Sequence, residues 1–240
     1  MSHATRTIVA PTNVPLRKPY SVIIPSAGYS NRMKSYGPCS LFKINNGLLI
    51  NHQLKYIYAF LQNVEIILVG GFEFGKLKST LKNSKIKIIQ NNKWDSTNVV
   101  SSINLGLKEA SYEDVIVLYG NTVFNEEIFK LPFGSYSSIV VDTKAEKDRD
   151  KVGCTIDNNS VEYMMYGLPN RWAEIVYLHG DELSLFRDEC NDINNHMCFG
   201  FEIINKVINN GGIFTPIHNK KIEFVDIGST KDFSKAENIV

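Results

Sequence analysis

The chain has 240 residues, 43% of them hydrophobic, and a formal charge of +1 at neutral pH. That length and apolar content fit one domain with a substantial core, and Lys and Arg scattered through a nearly neutral chain exclude a general attraction to nucleic acid polymers or to an anionic membrane surface. With no apolar run of about 18 residues and no charged-then-apolar leader, the expectation is a soluble, cytoplasmic protein.

The four cysteines, Cys39, Cys154, Cys190 and Cys198, show no Cys-x-x-Cys spacing, so reduced thiols are expected. Cys190, His196 and Cys198 lack a fourth partner at a usual zinc spacing, and zinc is not expected. Residues 1–20 carry Pro11, Pro15 and Pro19 among Thr, Asn and basic residues. They read as an extended arm on the surface or reaching a neighbour, which leaves 21–240 as the folded domain.

Val22-Ile23-Ile24-Pro25 predicts a buried strand, and Ser26-Ala27-Gly28 predicts a tight loop behind it. Free N–H groups in such a loop suit phosphate oxygens, and Arg32 adds a fork suited to bidentate contact. Tyr36-Gly37-Pro38-Cys39-Ser40-Leu41 is a second turn, and 48–61 carries apolar residues at helical spacing. Residues 64–69 predict a buried strand, 74–81 a short helix and 86–89 a third strand. This alternation argues for a parallel sheet with right-handed crossovers. Residues 97–110 read as a helix capped by Ser96 or Thr97, and 115–119 as a fourth strand with Gly120-Asn121 at its carboxyl end. Ligands bind outside the carboxyl ends of strands in open parallel sheets, so Gly28, Asn98 and Asn121 are expected to share one crevice.

The second half changes character. Residues 138–141 read as a strand, 142–151 as a charged, solvated loop, and 152–156 and 161–165 as a hairpin about Asp157-Asn158-Asn159-Ser160. Residues 172–178 fit either a strand or the start of a helix. A helix over 201–210 stops at Gly211-Gly212, a strand over 222–227 ends at Gly228, and 230–239 is a terminal helix. The expected fold class is α/β: a Rossmann-like, mixed but mostly parallel sheet flanked by helices, with a hairpin-containing second half.

Ala27-Gly28-Tyr29-Ser30-Asn31-Arg32-Met33 resembles the Ala-Gly-x-Gly/Ser-x-Arg-Met signature of the nucleotidyltransferases that activate sugar phosphates or choline phosphate. Gly37 to Ile44 sits where that family has a Pro-Lys-x-Leu segment. Residues 91–102 look like its Thr-Asn-x-x-Ser element, Tyr119-Gly120-Asn121 like its strand-end Tyr-Gly-Asp, and Asp226-Ile227-Gly228-Ser229-Thr230 like its late Asp-Ile-Gly segment. The resemblance implies the nucleotide-diphospho-sugar transferase fold. It also implies an NTP, CTP or UTP, joined to a small phosphorylated acceptor by in-line attack on the α-phosphorus, with Mg²⁺ as cofactor and pyrophosphate released.

On the same resemblance, Ser26, Ala27, Gly28, Ser30, Asn31, Arg32, Thr97, Asn98, Ser102 and Gly120 would bind the nucleotide. Arg32 and Lys43 would act in catalysis, Asp226 and Asn121 would hold the metal, and Trp172 and Glu182 would line the acceptor pocket. For Trp172 core packing is the competing reading. An acceptor bearing choline would favour an aromatic cage from Trp94, Tyr119, Tyr166 and Trp172. Two positions depart from the pattern: Cys39 stands for the family's Lys and Asn121 for its Asp. Both changes remove charge from the reaction centre, with Lys43 or Lys34 as stand-ins for the amine. The readings are therefore an Mg²⁺-dependent nucleotidyltransferase, a degenerate relative retained as a nucleotide-binding or structural subunit that assembles or self-associates through its arm, or a glycosyltransferase of shared architecture.

Overall fold

The computed structural model describes residues 18–29, 31–145 and 147–240. Most of the expected arm therefore lies outside the described residues, and Tyr20, placed in it by sequence, is the first residue of a strand. In chain order the elements are β1 (Tyr20–Ser26), β2 (Lys43–Ile44), β3 (Gly47–Leu48), α1 (Leu49–Phe60), β4 (Val64–Gly70), α2 (Phe74–Thr80), β5 (Lys87–Gln90), α3 (Val99–Glu109) and β6 (Val115–Leu118). There follow β7 (Thr122–Phe124), β8 (Ser138–Asp142), β9 (Val152–Asp157), β10 (Ser160–Tyr166), β11 (Arg171–Leu178), α4 (Gly180–Asn191), α5 (Gly200–Asn209), β12 (Thr215–Ile217), β13 (Phe224–Asp226) and α6 (Asp232–Ile239).

Among the described residues nine strands form the central sheet, in the path β10-β9-β11-β6-β1-β4-β5 with β8 on β11 and β12 on β8. β1 runs parallel to β4 and β6, and β4 parallel to β5, which is the expected crossover half. β11 pairs antiparallel with β6, and the β9–β10 hairpin continues from it, so the second half converts the sheet to a mixed one. Residues 172–178, left between strand and helix by the sequence, lie in a strand.

Buried on both faces, β1 reads as a continuous apolar run rather than an alternating one. Val22 and Ile24 pack with Ile50, Tyr56 and Ile57 of α1 and Leu77 of α2. Ile23 on the other face packs with Val100, Ile103 and Leu107 of α3, and the same layer holds Phe186 of α4 and Ile203, Ile204 and Val207 of α5. A third cluster, built from Met33, Phe42, Ile44, Val123, Val225, Ile227 and Ala236, ties the first loop to β13 and α6. Among the described residues no helix is long and apolar enough to cross a membrane.

Three expectations need correction. α3 begins at Val99 with Asn98 as its cap, the Asn98 carboxamide accepting from Val99 N at 2.8 Å, while the Ser96 and Thr97 hydroxyls donate back to Lys93 O. Helix α4 was not anticipated, because Leu183, Phe186 and Cys190 are its only buried residues and the rest of it is largely polar. The stretch 142–151 is not wholly solvated: Lys151 is ion-paired to Asp226 and its side chain is 24% exposed.

Candidate functional site

The loops at the carboxyl ends of the parallel strands open onto one cleft of about 330 Å³. Behind β1 come Ser26, Ala27, Gly28 and Tyr29; behind β5 come Asn91, Trp94, Thr97 and Asn98; at the end of β6 come Tyr119 and Asn121. The convergence of Gly28, Asn98 and Asn121 expected from the sheet is thus what the fold produces. From the second half Tyr166, Glu174, Phe199, Ile227 and Gly228 close the cleft, and Ser102 lies at its base beside Asn91. Among the described residues its lining contains no Lys, Arg or His and a single acid, Glu174.

Close backbone approaches hold the first loop. Phe72 N donates to Ala27 O at 2.8 Å, and a Cβ on Gly71 would stand 2.4 Å from Trp94 Cβ and 2.8 Å from Ala27 O. Only a residue without a side chain lets the two loops meet. Tyr29, Phe72 and Trp94 then form an aromatic group with ring centroids 4.8 to 5.7 Å apart, a surface on which a flat ring can stack. Asn91 Nδ2 donates to Ser102 Oγ at 3.0 Å. Asn98 reaches across to the second half, with its N donating to His196 O at 2.8 Å and its Nδ2 to Met197 O at 3.3 Å.

On the floor, Ser26 Oγ pairs with Ser40 Oγ and lies 3.1 Å from Cys39 Sγ. Burial pushes the Cys39 thiol up, against the Ser26 bond that lowers it, so where the resemblance would place a lysine the chain holds a neutral thiol. Gly120 sits behind this floor rather than on it, for a Cβ there would be 2.7 Å from Ser26 Cβ.

The residue that sequence reasoning missed is Glu174. The register of β11 with β8 shifts between Trp172 and Val176, and inside that irregularity Glu174 adopts a left-handed φ of 58°. The bulge turns its side chain into the cleft. Thr122 Oγ1 donates to Glu174 Oε2 at 3.0 Å. Burial and then the charge of Asp226 push this carboxyl up to about 8, against the opposing pull of Thr122, Lys151 and Arg171. Burial, followed by the charge of Glu174, also raises the Tyr119 and Tyr166 hydroxyls. The one signal in the sequence was a lone acid in the apolar run Trp172 to Leu178, where an unpaired carboxylate is costly.

The remaining expected residues fall as follows. Ser30 lies outside the described residues, as does the side chain of Asn31. Arg32 is exposed on the 3-10 turn Asn31–Tyr36, Lys43 is exposed on β2, and neither lines the cleft. Lys34 comes nearer, its Nζ 5.2 Å from the Tyr29 ring centroid. Trp172 is 5% exposed, donates from Nε1 to Ile175 O at 3.0 Å and stands edge-on to Tyr119 at 5.5 Å. It backs the cleft wall from within the core, so of the four aromatics considered for a cage Trp94, Tyr119 and Tyr166 reach the cleft. Glu182 lies on α4 and accepts from Ile213 N at 3.1 Å, away from the cleft.

Asp226 ends β13, and its carboxylate is enclosed by cations. Arg171 Nη2 donates to Oδ1 at 2.5 Å and Lys151 Nζ to Oδ2. Asn121 lines the cleft and is tied to the same strand end, its O accepting from Ile227 N at 2.9 Å. A hard divalent cation takes oxygen ligands, preferably anionic ones. Here one candidate ligand is a neutral carboxamide, and both oxygens of the other already accept from fixed positive groups. The donor set does not fit Mg²⁺.

No protein-family model and no curated protein sequence matches the chain. Solved structures do. The CTP:phosphocholine cytidylyltransferase from Streptococcus pneumoniae, LicC, is 14% identical with a TM-score of 0.75, over 92% of this chain and 99% of that one. The inositol-1-phosphate CTP transferase from T. maritima is 13% identical with a TM-score of 0.76, over 94% and 98%. HddC from Yersinia pseudotuberculosis is 19% identical with a TM-score of 0.69, over 92% and 99%. As the sequence resemblance implied, the chain has the nucleotide-diphospho-sugar transferase fold.

Proposed function

We propose that this cleft holds the nucleoside part of an NTP, CTP or UTP, and that the chain is a nucleotidyltransferase-like protein in which transfer to a small phosphorylated acceptor is slow or lost. The observation that carries this is the lining itself: aromatic rings and neutral hydrogen-bonding groups from three strand-end loops and, among the described residues, no cation. Tyr29 and Trp94 offer stacking faces for the base. Asn91, Asn98 and Ser102 offer donors and acceptors for base edge and ribose, and the loop at Ser26 to Gly28 offers backbone N–H groups to the α-phosphate.

Phosphoryl-type transfer is catalysed mainly by positioning and by neutralising charge. Cys39 supplies no charge, Asn121 none, and Asp226 is engaged elsewhere. Each missing electrostatic contributor lowers a rate by about a hundredfold to a thousandfold, and the losses are not additive. A second reading, a working enzyme, is favoured by Arg32 and Lys34 on the turn that follows the first loop. The stated activities of the solved neighbours point the same way.

Calorimetric titration with CTP and UTP, followed by a pyrophosphate-release assay with pooled sugar phosphates and phosphocholine, separates these. Binding that Trp94→Ala weakens by about tenfold, ~1.4 kcal/mol, without release of pyrophosphate, supports the proposal. Release at rates ordinary for an enzyme moves the assignment to the second reading. Failure to bind either nucleotide refutes both.

A further inference from the structure

In the described structure Asp226 does not stand as an available carboxylate. Lys151 and Arg171 take one oxygen each, and the three side chains are only 24%, 22% and 16% exposed for Lys151, Arg171 and Asp226. Neither cation hangs on a loose loop. Arg171 is the first residue of β11, paired with Asp142 and Gly153 on two neighbouring strands, and its guanidinium lies 5.0 Å from the Phe224 ring centroid. The Lys151 backbone is held from both sides, its N donating to Asp148 O at 3.2 Å and its O accepting from Gly167 N at 2.9 Å.

Cations already surround the one carboxylate. Lys151 and Arg171 both pair with Asp226, while the neighbouring Glu174 carboxyl is held by the Thr122 hydroxyl and pushed up by burial. A divalent ion at Asp226 would have to displace an ammonium and then sit beside a guanidinium. Mg²⁺ also demands near-ideal octahedral oxygen coordination, which Asn121 and a cation-capped Asp226 do not offer.

We infer that Lys151 and Arg171 occupy the charge position of a divalent cation at Asp226, and that the cleft takes its nucleotide without one. The first half stands on the side-chain geometry alone; the second rests on the nucleotide-binding reading above.

The test uses the full chain. In a Mn²⁺ titration followed by electron paramagnetic resonance, the nucleotide-free protein takes up no Mn²⁺ through Asp226. The Lys151→Met, Arg171→Leu double variant gains one site, and adding Asp226→Asn removes it. Should the double variant not fold, Lys151→Gln, Arg171→Gln removes both positive charges while keeping hydrogen-bonding side chains beside Asp226 for the same measurement. A wild-type chain that binds Mn²⁺ and loses it on Asp226→Asn overturns the inference, as do folded variants that gain no Mn²⁺.

In the second arm, CTP and UTP bind with affinities that agree within about threefold between excess EDTA and saturating Mg²⁺. A tightening of about tenfold or more by Mg²⁺ overturns the metal-free claim. Absence of binding in both media refutes the nucleotide reading instead, and the Mn²⁺ result still decides the claim at Asp226.

Discussion

Replacing Glu174 by Gln removes one titrating group while keeping an oxygen for the Thr122 hydroxyl. The folded carboxyl lies near 8 against an ordinary value of 4.5, raised first by burial and then by Asp226. The unfolded chain therefore gives up this proton at lower pH than the folded one. The Glu174 contribution to stability is complete below about pH 4.5, is lost as the pH rises, and levels off above about pH 8. At about 1.4 kcal/mol per pH unit of separation the ceiling is about 5 kcal/mol. Glu174 keeps part of its surface in an open cleft, where water screens the charge, so about 2 kcal/mol is the expected size. For a chain of this length that is about 4–8 °C in melting temperature.

Thermal unfolding of wild type and Glu174→Gln, followed by circular dichroism from about pH 4.5 to about pH 8.5, reads the difference. The curves should lie close together at the acid end, with the variant progressively more stable towards the alkaline end. Titrating groups remote from Glu174 act on both proteins and cancel. Parallel profiles across the range would mean that the folded environment does not disfavour the Glu174 charge, and the argument from its burial would be wrong.

Gly106 of α3 lies against β1, and a Cβ there would come 2.4 Å from Ile23 Cγ2. Gly106→Ala should lose about 1–3 kcal/mol to overpacking, less about 1 kcal/mol regained in helix propensity, read as a lower urea midpoint. Trp172→Ala should cost about 3–5 kcal/mol of stability as a core truncation, with nucleotide affinity altered only through the Tyr119 wall; a large affinity loss at unchanged stability would contradict its placement. Asn98→Ala removes the α3 cap and should cost about 1 kcal/mol, measured in the same denaturation series.

The parallel half of the sheet was legible because its strands are dense β-branched runs closed by small residues, as in Val22 to Ser26 and Val64 to Gly70. Three-residue strands such as Thr122–Phe124 and Thr215–Ile217 carry too few residues to show a period. The site was legible where it follows from topology, at Gly28, Asn98 and Asn121. It was hidden where it depends on a single dihedral or on distant partners. Nothing local announces the left-handed backbone of Glu174. The cations on Asp226 come from positions 75 and 55 residues away in the chain, beyond any spacing rule, and Glu182 was drawn into the pocket with no helix to place it elsewhere.

Asn98 hydrogen-bonds to His196 and to Met197, the latter 99 residues later in the chain. Those bonds tie the two halves together at the rim of the cleft. Tyr166 and Phe199 stand exposed at the same cleft, where side chains reorient in picoseconds to nanoseconds. The Asn98 amide proton, shared with the far half of the molecule, becomes a natural reporter: its exchange with solvent should slow whenever the cleft is filled.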